Sequence, residues 1–586
     1  MPGIRKQFFL FCFVNMIILN TAIFSQEIPQ SVNNTGIYDF LDELANNQII
    51  SINSAIKPYS RLFIAQRLKE AEEKKEQLNP RQQNELEFYL TDFRKELNKE
   101  GRKGTTAQGR NGENHLRQGS DGQRVQWFNG FTAQWGNGVT AQRDKDTTAQ
   151  RHNGTKTQRH PDLFYYRDSL FSLTINPILG GEIFTNSSGR ATYIRNGAEA
   201  RAYINHWGFY ASLCDNHETP LLGLPQYLTQ RFDGHIKGTN DFSEMQGGVT
   251  YSWKWGSAGL VKDNVQWGNN YHGANIFGGN NPSFVQLRLH ITPVKWFDFN
   301  YFHGWLNSMV IDSTKSFWVT NSYGTSYRAV YHPKFIAANM FTFIPFNNLY
   351  VSAGNSIIYD NETINPAYLI PIFFYKSVDH SLTSGIDNMN SQMFFDVSSR
   401  QIRHLHMYVT WFIDEMAVSR FTEKNAWNFF SWKAGFRLTD LPVTNLSFTT
   451  EFTYTYPLAF QHYIPTVTFQ DQGYNLGYYL KDNSREWYLA FDYRPVRTLD
   501  INFFFLDAIR GPDYTELGVN RVGNPPLVTV QWHNTSYGLK ASYQVINDLY
   551  TWFSFTAGNI TGDARWSPEY FFGRKNTLNL GVTVGF

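Results

Sequence analysis

The stretch NTLNLGVTVGF at residues 576–586 decides the fold. Its apolar side chains (Leu578, Leu580, Val582, Val584 and Phe586) fall on one face of an extended strand, and small or polar side chains fall on the other. Successive side chains of a β-strand point to opposite faces, so this pattern suits a wall with lipid outside and a polar lumen inside. An edge strand of a soluble sheet could alternate in the same way, and the rest of the chain distinguishes the two.

From residue 163 onward, a strand repeatedly runs into a tight turn and a second strand leaves at once. The turns are predicted near residues 205–208, 255–257, Pro293, Pro345, Ser399, Pro442, Pro495 and Asn547. Long polar connections lie between them, and short turns at one end with long loops at the other are typical of outer-membrane barrels. Adding an opening strand near residues 169–184 and the closing strand, we predict an all-β, up-and-down antiparallel transmembrane barrel of about 18 strands over residues 161–586.

Composition supports a barrel in the bacterial outer membrane. Aromatic residues make up 17% of the chain, which suits lipid-facing strands and interfacial girdles. Mean hydropathy is −0.41, and after residue 24 no apolar run is long enough for a spanning helix. A helical membrane protein is therefore excluded, whereas a barrel is not, because half of its strand residues face a polar interior.

The first 25 residues are predicted to be a secretory signal peptide. Arg5 and Lys6 precede an apolar run at residues 8–24, and the small Ser25 offers a cleavage point. An uncleaved anchor helix is the alternative. Cys12 lies inside this segment, which leaves Cys214 alone and predicts neither an internal disulfide nor a cysteine metal site.

Two further segments precede the barrel. Residues 26–100 are predicted to be a periplasmic helical segment, because Ile37, Phe40, Leu41 and Leu44 form an apolar stripe. Ser60 precedes a second helix, and Asn79-Pro80 suits the start of a third. Such a small bundle is expected to dock on the periplasmic end of the barrel.

Residues 101–160 contain ten Lys and Arg against four Asp and Glu, with the triplet Thr-Ala-Gln four times. We expect a flexible, basic, low-complexity insertion, with contact to acidic polysaccharide as the alternative.

No catalytic signature is present, so the sequence predicts a non-enzymatic protein without cofactor or metal. The formal net charge of +2 gives no support for a nucleic-acid partner. Charged and imidazole side chains on predicted strands are expected to face the lumen and form a polar network that narrows it, with a selectivity role as the alternative. These residues are Arg288, His290, Asp298, Glu451, Asp492 and Asp500.

The segment DNVQWGNNYHG at residues 263–273 opens a predicted extracellular loop. Aromatic faces stack on sugar rings, so Trp267 and Tyr271 are predicted to be exposed and to bind glycan. Asn269 and His272 would hydrogen-bond to sugar hydroxyls. The alternative is a loop tucked into the barrel mouth, with Trp267 in the aromatic girdle.

Several motifs resemble the Wzi-like capsule assembly proteins. They are DNVQWG at 263–268 with PSF at 282–284, the PVKWF hairpin at 293–297, NGAEARAY at 196–203 leading to GFYAS at 208–212, and FIDE at 412–415. The resemblance covers residues 163–586, and 36–100 more loosely. It implies an 18-stranded outer-membrane barrel with a periplasmic helical bundle that acts as a surface lectin retaining capsular polysaccharide. It also adds Asp414 and Glu415 to the candidate polysaccharide-binding residues.

Three functions are open at this stage. The first is binding of capsular polysaccharide, with outer-membrane lipid and lipopolysaccharide as further partners. The second is a component of gliding motility or surface adhesion: the signal ending in Ser-Gln suggests a Bacteroidetes-type source, and the resemblance implies this role because similar proteins of that lineage are tied to gliding motility. Its envelope partners would bind the helical segment. The third is a porin-like diffusion channel.

Overall fold

The computed structural model describes residues 27–97, 126–127, 162–168, 170–222, 240–322, 324–382, 388–423, 425–518 and 521–585. The predicted signal peptide and nearly all of the predicted basic insertion lie outside these residues. Within the insertion only Gln126–Trp127 is described, and it pairs with the short strand Phe164–Arg167.

Within the described residues, eighteen antiparallel strands form a closed barrel, as predicted. In chain order they are β1 Phe171–Asn186, β2 Gly189–Ile204, β3 Trp207–Glu218, β4 Asp241–Trp253, β5 Gly256–Asp263, β6 Phe284–Val294, β7 Phe297–Ile311, β8 Tyr331–Phe346, β9 Leu349–Tyr359, β10 Met389–Ser399, β11 Leu405–Glu415, β12 Phe429–Thr439, β13 Leu446–Thr455, β14 Ser484–Val496, β15 Leu499–Arg510, β16 Trp532–Ile546, β17 Leu549–Gly562 and β18 Gly573–Val584.

The strand that decided the prediction also closes the barrel. β18 pairs with β17 on one side and with β1 on the other, where Leu580 lies opposite Ile183. The outward side chains of Leu578, Leu580 and Val582 are 44–57% exposed, whereas the inward Asn579 is 6% exposed. The predicted lipid face and lumen face of this strand are therefore confirmed; Phe586 lies outside the described residues.

The eight predicted tight turns are confirmed, and all of them lie at the same end of the barrel. They connect the strands at residues 205–206, 254–255, 295–296, 347–348, 400–404, 440–445, 497–498 and 547–548. The connections at the other end are longer, except for the two-residue link at 187–188 between β1 and β2. In barrels of this architecture the short turns face the periplasm.

In the described residues ahead of the barrel, three α-helices are present: α1 Thr35–Asn46, α2 Arg61–Glu73 and α3 Pro80–Leu97. The Ser60 hydroxyl accepts a hydrogen bond from the Phe63 N–H, and the Asn79 side chain accepts one from the Gln82 N–H at 2.9 Å. These caps satisfy amide groups that have no partner in the first helical turn. In the described ranges, no helix has the length and apolar character needed to cross a membrane.

The helices lie across the short-turn end of the barrel. From α1 and its C-terminus, Asn46 donates to the Thr439 hydroxyl at 3.0 Å and Asn47 donates to Asp440 at 2.7 Å. Ahead of α3, Asn79 donates to Asn445 at 3.0 Å. A further short helix, α4 Tyr375–Leu382, lies between β9 and β10.

Packing between neighbouring strands leaves no space at Gly354 in β9. A Cβ atom there would lie 2.2 Å from the Phe394 ring and 2.3 Å from the Asn339 carbonyl oxygen, whereas one at Gly181 in β1 would lie 3.8 Å from its nearest neighbour. We therefore expect Gly354→Ala to cost about 1–3 kcal/mol through overpacking, while the matched control Gly181→Ala is neutral. The temperature at which the folded band disappears in a heat-modifiability gel measures both variants; equal temperatures would contradict the packing of β9.

Candidate functional site

The connection between β5 and β6 folds into the lumen and forms a plug, defined here as residues 264–283. Its two short strands, Gln266–Trp267 and Phe277–Gly278, pair with each other. Gln266–Trp267 also pairs with Ile56–Lys57 from the helical segment, with Trp267 opposite Ile56. This three-stranded sheet joins a connection from the extracellular end to a segment from the periplasmic end, so the plug spans the interior.

Trp267 lies in an apolar cluster inside the barrel. Its ring centroid is 5.3 Å from that of Phe277 and 5.2 Å from that of Phe302, and its side chain is 4% exposed. The prediction of an exposed tryptophan is therefore wrong, because the loop turns inward and buries the ring against strand residues distant in sequence. Trp267 does not belong to the aromatic girdle either. Its ring packs against Phe302, whose side chain points into the lumen, so Trp267 lies inside the barrel.

Asn269 is also buried, and its hydrogen bonds are satisfied within the protein. Its backbone N–H donates to Asp396 at 2.9 Å and its side-chain amide donates to the same carboxylate at 2.6 Å. The Ser54 hydroxyl donates to its amide oxygen at 2.6 Å. The predicted contact of Asn269 with an external sugar is excluded in this conformation, because these groups already occupy its amide.

Glu451 on β13 holds the tip of the plug. The N–H groups of Tyr271 and His272 donate to its two oxygens at 2.7 and 2.8 Å. Lys433 lies 3.2 Å from the same carboxylate and also donates to the His272 carbonyl at 3.0 Å. The His272 ring stacks on Tyr488 at 4.2 Å. The backbone of Tyr271 and His272 is therefore anchored inside the barrel rather than in an exposed loop, and the contact of their side chains with a sugar stays a prediction.

Arg400, in the turn after β10, ties the barrel wall to the helical segment, and Asp42 links both of them to the plug. It is 1% exposed and donates to Asp42 at 2.6 Å, to Asn46 at 2.7 Å and to Ser54 at 3.0 Å. Tyr271 donates its hydroxyl proton to the same Asp42 at 2.7 Å. Burial by itself would raise the pKa of Asp42, but nearby cations, above all Arg400, lower it below its ordinary value. The buried carboxylate is therefore charged and paired.

A second connection, residues 456–483 between β13 and β14, packs against the plug. The Gly278 N–H donates to the Leu476 carbonyl at 2.7 Å, and the Phe277 ring lies 5.4 Å from Phe469. Tyr478 donates to Glu486 at 2.5 Å, which fixes the end of this connection to β14. The sequence did not predict that residues 456–483 pack against the plug. The apolar residues in this segment were the only signal of such packing.

The six residues predicted to face the lumen lie in separate groups. Arg288 donates to the Asn264 carbonyl at 2.7 Å at the base of the plug. His290 lies 3.3 Å from both Asp298 and Glu27. Asp492 pairs with Arg437 at 3.4 Å and Asp500 with Arg494 at 2.8 Å, and Asp39 on α1 joins the two pairs, because it lies 3.9 Å from Arg437 and 3.0 Å from Arg494. Asp492 and Asp500 therefore share one ionic network with the helical segment, whereas Arg288, the His290–Asp298 pair and Glu451 lie in other groups.

Asp414 and Glu415 end β11 on opposite faces of the wall. Asp414 is 8% exposed and accepts a hydrogen bond from Gln392 at 3.2 Å. Glu415 pairs with Arg420 at 2.6 Å on the exposed side. Alternation along the strand separates the two carboxylates, so they do not form one binding site with each other.

A hairpin missed by the sequence analysis projects from the extracellular end between β7 and β8. Its strands Phe317–Asn321 and Gly324–Arg328 place Trp318 directly opposite Tyr327. The two rings have centroids 5.1 Å apart and are 69% and 41% exposed. The sequence signal is KSFWVTNSYGTSYR at residues 315–328, where aromatic and hydroxyl residues surround a turn that contains Gly324.

A cavity of about 960 Å³ remains in the lumen beside the plug. Its walls carry both signs of charge, including Arg195, Glu199 and Lys540, together with the Trp552 ring. In the described part of the chain, no cluster of three or more His, Cys, Asp or Glu side chains is arranged to hold a metal ion.

The closed barrel and its filled lumen define an outer-membrane β-barrel with an internal plug. No protein-family profile matches the chain, and no curated protein matches it in sequence.

Solved structures do match. Escherichia coli Wzi, described as an outer-membrane protein involved in group 1 capsule assembly and a carbohydrate-binding β-barrel, is 10% identical, with 96% of this chain and 100% of that chain covered and a TM-score of 0.54. OccD3 of Pseudomonas aeruginosa is 10% identical over 70% of this chain and 90% of that chain, with a TM-score of 0.39. The BenF-like porin from Pseudomonas fluorescens Pf-5 is 10% identical over 71% and 99%, with a TM-score of 0.39. The likeness to Wzi shows a shared fold.

The difference in burial between Trp267 and Trp318 predicts different effects of their substitution on stability. Trp267→Ala removes a ring packed against Phe277 and Phe302 and should cost about 3–5 kcal/mol. Trp318→Ala removes a ring that is 69% exposed and should leave stability nearly unchanged. The folded-band temperature in a heat-modifiability gel is the measurement. A stable Trp267→Ala variant would contradict the position of the plug.

The plug predicts a barrel that does not conduct steadily. In planar bilayers the protein should give no large, steady current steps. Replacing residues 267–277 by Asn-Gly joins the paired ends Gln266 and Gly278 through a tight turn and should produce current steps. The matched control replaces residues 318–327 by Asn-Gly between the paired Phe317 and Arg328, and it should stay closed. Large steady steps from the unaltered protein would exclude a closed lumen.

Proposed function

We propose that this protein is a non-enzymatic outer-membrane barrel that binds surface polysaccharide, of the capsular kind, and retains it on the cell. The observation that carries the proposal is the solvent-exposed pair of Trp318 and Tyr327 on an extracellular hairpin. Large exposed aromatic side chains on a barrel wall generally contact lipid. An exposed aromatic pair that lies beyond the wall needs another partner.

The hairpin lies above the membrane. β7 has 15 residues and β8 has 16. At about 3.3 Å per residue and a tilt of about 40°, they rise about 38–40 Å, well beyond an apolar band about 25 Å tall. The hairpin extends further from their ends, so Trp318 and Tyr327 face the external solution.

The chemistry of the hairpin suits a sugar chain. Aromatic faces pack on the C–H surfaces of sugar rings, and Trp318 and Tyr327 offer two such faces side by side. The hydroxyls of Thr320 and Thr325 lie 3.0 Å apart on the next cross-strand pair of the same face and can exchange hydrogen bonds with sugar hydroxyls. Tight turns at the base of the hairpin, where Ser316 donates to the Asp312 carbonyl at 2.7 Å, hold it in place.

Two further observations support polysaccharide binding over diffusion. The plug and the 456–483 connection occupy much of the lumen, which supports a site of action on the extracellular surface. The fold is shared with Escherichia coli Wzi, which is described as carbohydrate-binding.

The test is Trp318→Ala with Tyr327→Ala in a capsulated strain. Loss of one stacking ring should remove on the order of 1 kcal/mol, or roughly fivefold in affinity per site. Many repeats of one polymer amplify this through multivalency. Polysaccharide retained on cells and binding of purified capsule to purified protein are the two measurements, normalised to the folded barrel.

The matched control is Trp296→Ala. Trp296 is 57% exposed but lies in a short turn at the periplasmic end, so its loss should leave retained polysaccharide unchanged. Unaltered retention in the Trp318 and Tyr327 double variant would reject the hairpin as the binding surface. A deletion strain that keeps its capsule but no longer spreads on agar would instead favour a role in gliding or adhesion.

A further inference from the structure

The connection between β9 and β10 contains a segment that lies on the outside of the barrel wall. We call residues 366–382 the strap; it comprises a short 3-10 helix, Pro366–Leu369, and α4. Along β9 the odd-numbered residues point outward, as Val351 shows by its 37% exposure. Asn355, Ile357 and Tyr359 share this outward face but are buried, because the strap covers them.

Aromatic side chains fix the strap to the wall. Tyr368 and Tyr375 are both fully buried. The Tyr368 ring lies 4.8 Å from that of Tyr359 on β9, and the hydroxyl of Tyr301 on β7 donates to the Tyr368 carbonyl at 2.9 Å. The strap therefore packs on outward-facing residues of three neighbouring strands, β7 to β9.

Two asparagines on the outer wall bind the strap backbone. Asn339 and Asn355 lie opposite each other in the ladder between β8 and β9. The Asn339 amide donates to the carbonyls of Pro371 and Phe373, both at 2.9 Å, and Asn355 accepts from the Tyr375 N–H at 2.9 Å. Polar side chains are unexpected on a lipid-facing wall, and here they satisfy backbone groups that have no ladder partner.

The strap reaches the level of the membrane. Asn355 lies six residues along β9 from Leu349 at the short turn. That distance is about 20 Å along the strand and about 15 Å in height at a tilt of about 40°, inside an apolar band about 25 Å tall. Residues 371–375, which contact Asn339 and Asn355, therefore lie near the middle of that band.

The outer face of the strap is apolar over residues 366–375, whereas the rest of α4 carries Lys376, Asp379 and His380. Between Glu362 and Lys376 the sequence contains no charged residue. Its most exposed large side chains are Leu369, Ile370, Ile372, Phe373 and Phe374, at 36–66% exposure. In water this patch would be unfavourable, but it is continuous with the exposed apolar side chains of the surrounding wall, such as Phe395 and Val397.

We propose that residues 366–375 of the strap are embedded in the outer membrane and that the acyl chains of the lipid are the partner of their apolar face. Irregular backbone is tolerated at membrane depth only where its polar groups are satisfied within the protein. Asn339, Asn355 and Tyr301 meet that condition, and apolar side chains cover the outside. The strap is thus an extracellular connection that enters the membrane beside the barrel.

Spin-label accessibility tests this proposal on the whole protein. With Cys12 and Cys214 replaced by Ala, single cysteines at Ile372, Val351 and Ser326 each receive a nitroxide. Val351 is the wall control, and Ser326 on the exposed hairpin is the aqueous control. In phosphatidylcholine vesicles the Ile372 label should collide with oxygen in preference to a water-soluble nickel chelate, matching Val351 and exceeding Ser326 several-fold. A ratio like that of Ser326 would overturn the proposal.

A second arm tests the asparagines. In the Asn339→Ala, Asn355→Ala background the strap carbonyls lose their donors, so the Ile372 label should gain nickel accessibility while the Val351 label does not. The folded band in a heat-modifiability gel confirms that the barrel remains intact; should this double variant not fold, Asn355→Ala alone replaces it. An unchanged Ile372 label in a folded variant would overturn the assigned role of the asparagines.

A third arm distinguishes lipid from a protein partner. The Ile372 label is measured in native outer membranes as well as in vesicles that contain only purified protein and lipid. Equal oxygen accessibility in the two supports lipid as the partner. A marked loss in native membranes, with the Val351 label unchanged, would show that a protein covers the strap and would overturn the lipid assignment.

Discussion

Satisfaction of backbone hydrogen bonds at membrane depth is the constraint on which the structure depends. Lipid offers no donor or acceptor, so a spanning sheet must close upon itself. Pairing of β18 with β1 achieves this closure. Where the chain leaves the ladder at the same depth, in the strap, the side chains of Asn339 and Asn355 take over the role of a neighbouring strand. The same requirement thus explains both the closed sheet of the wall and the way the strap is bound to it.

Closure of so many strands creates an interior that side chains of the wall cannot fill by themselves. The plug and the 456–483 connection occupy that space from the extracellular end, and the helical segment contributes from the other. Several buried charges inside are paired, as in Lys433 with Glu451 and Arg400 with Asp42, because an unpaired buried charge is strongly destabilising. Helical segment, plug and wall therefore form one hydrogen-bonded unit.

Aromatic residues serve three different purposes in this protein, according to what surrounds them. Trp267 packs in the core of the plug, the exposed tyrosines and phenylalanines of the wall face lipid, and Trp318 projects into solution. The residue type is the same in the first and last case, but exposure of 4% for Trp267 against 69% for Trp318 separates a structural role from one available for ligand binding. For a glycan-binding surface, an exposed aromatic pair is more informative than an aromatic-rich motif.

The sequence by itself determined the barrel, its strand number and its short turns. These features depend on local alternation and on turn residues, as at residues 576–586, and both can be read along the chain. The caps of α2 and α3 at Ser60 and Asn79 are local in the same sense. Only the tertiary structure decided the direction of the loops. DNVQWGNNYHG specifies an aromatic, amide-rich segment, but its inward course depends on Phe302, Asp396 and Glu451, which lie far away in sequence and meet it only when the barrel closes.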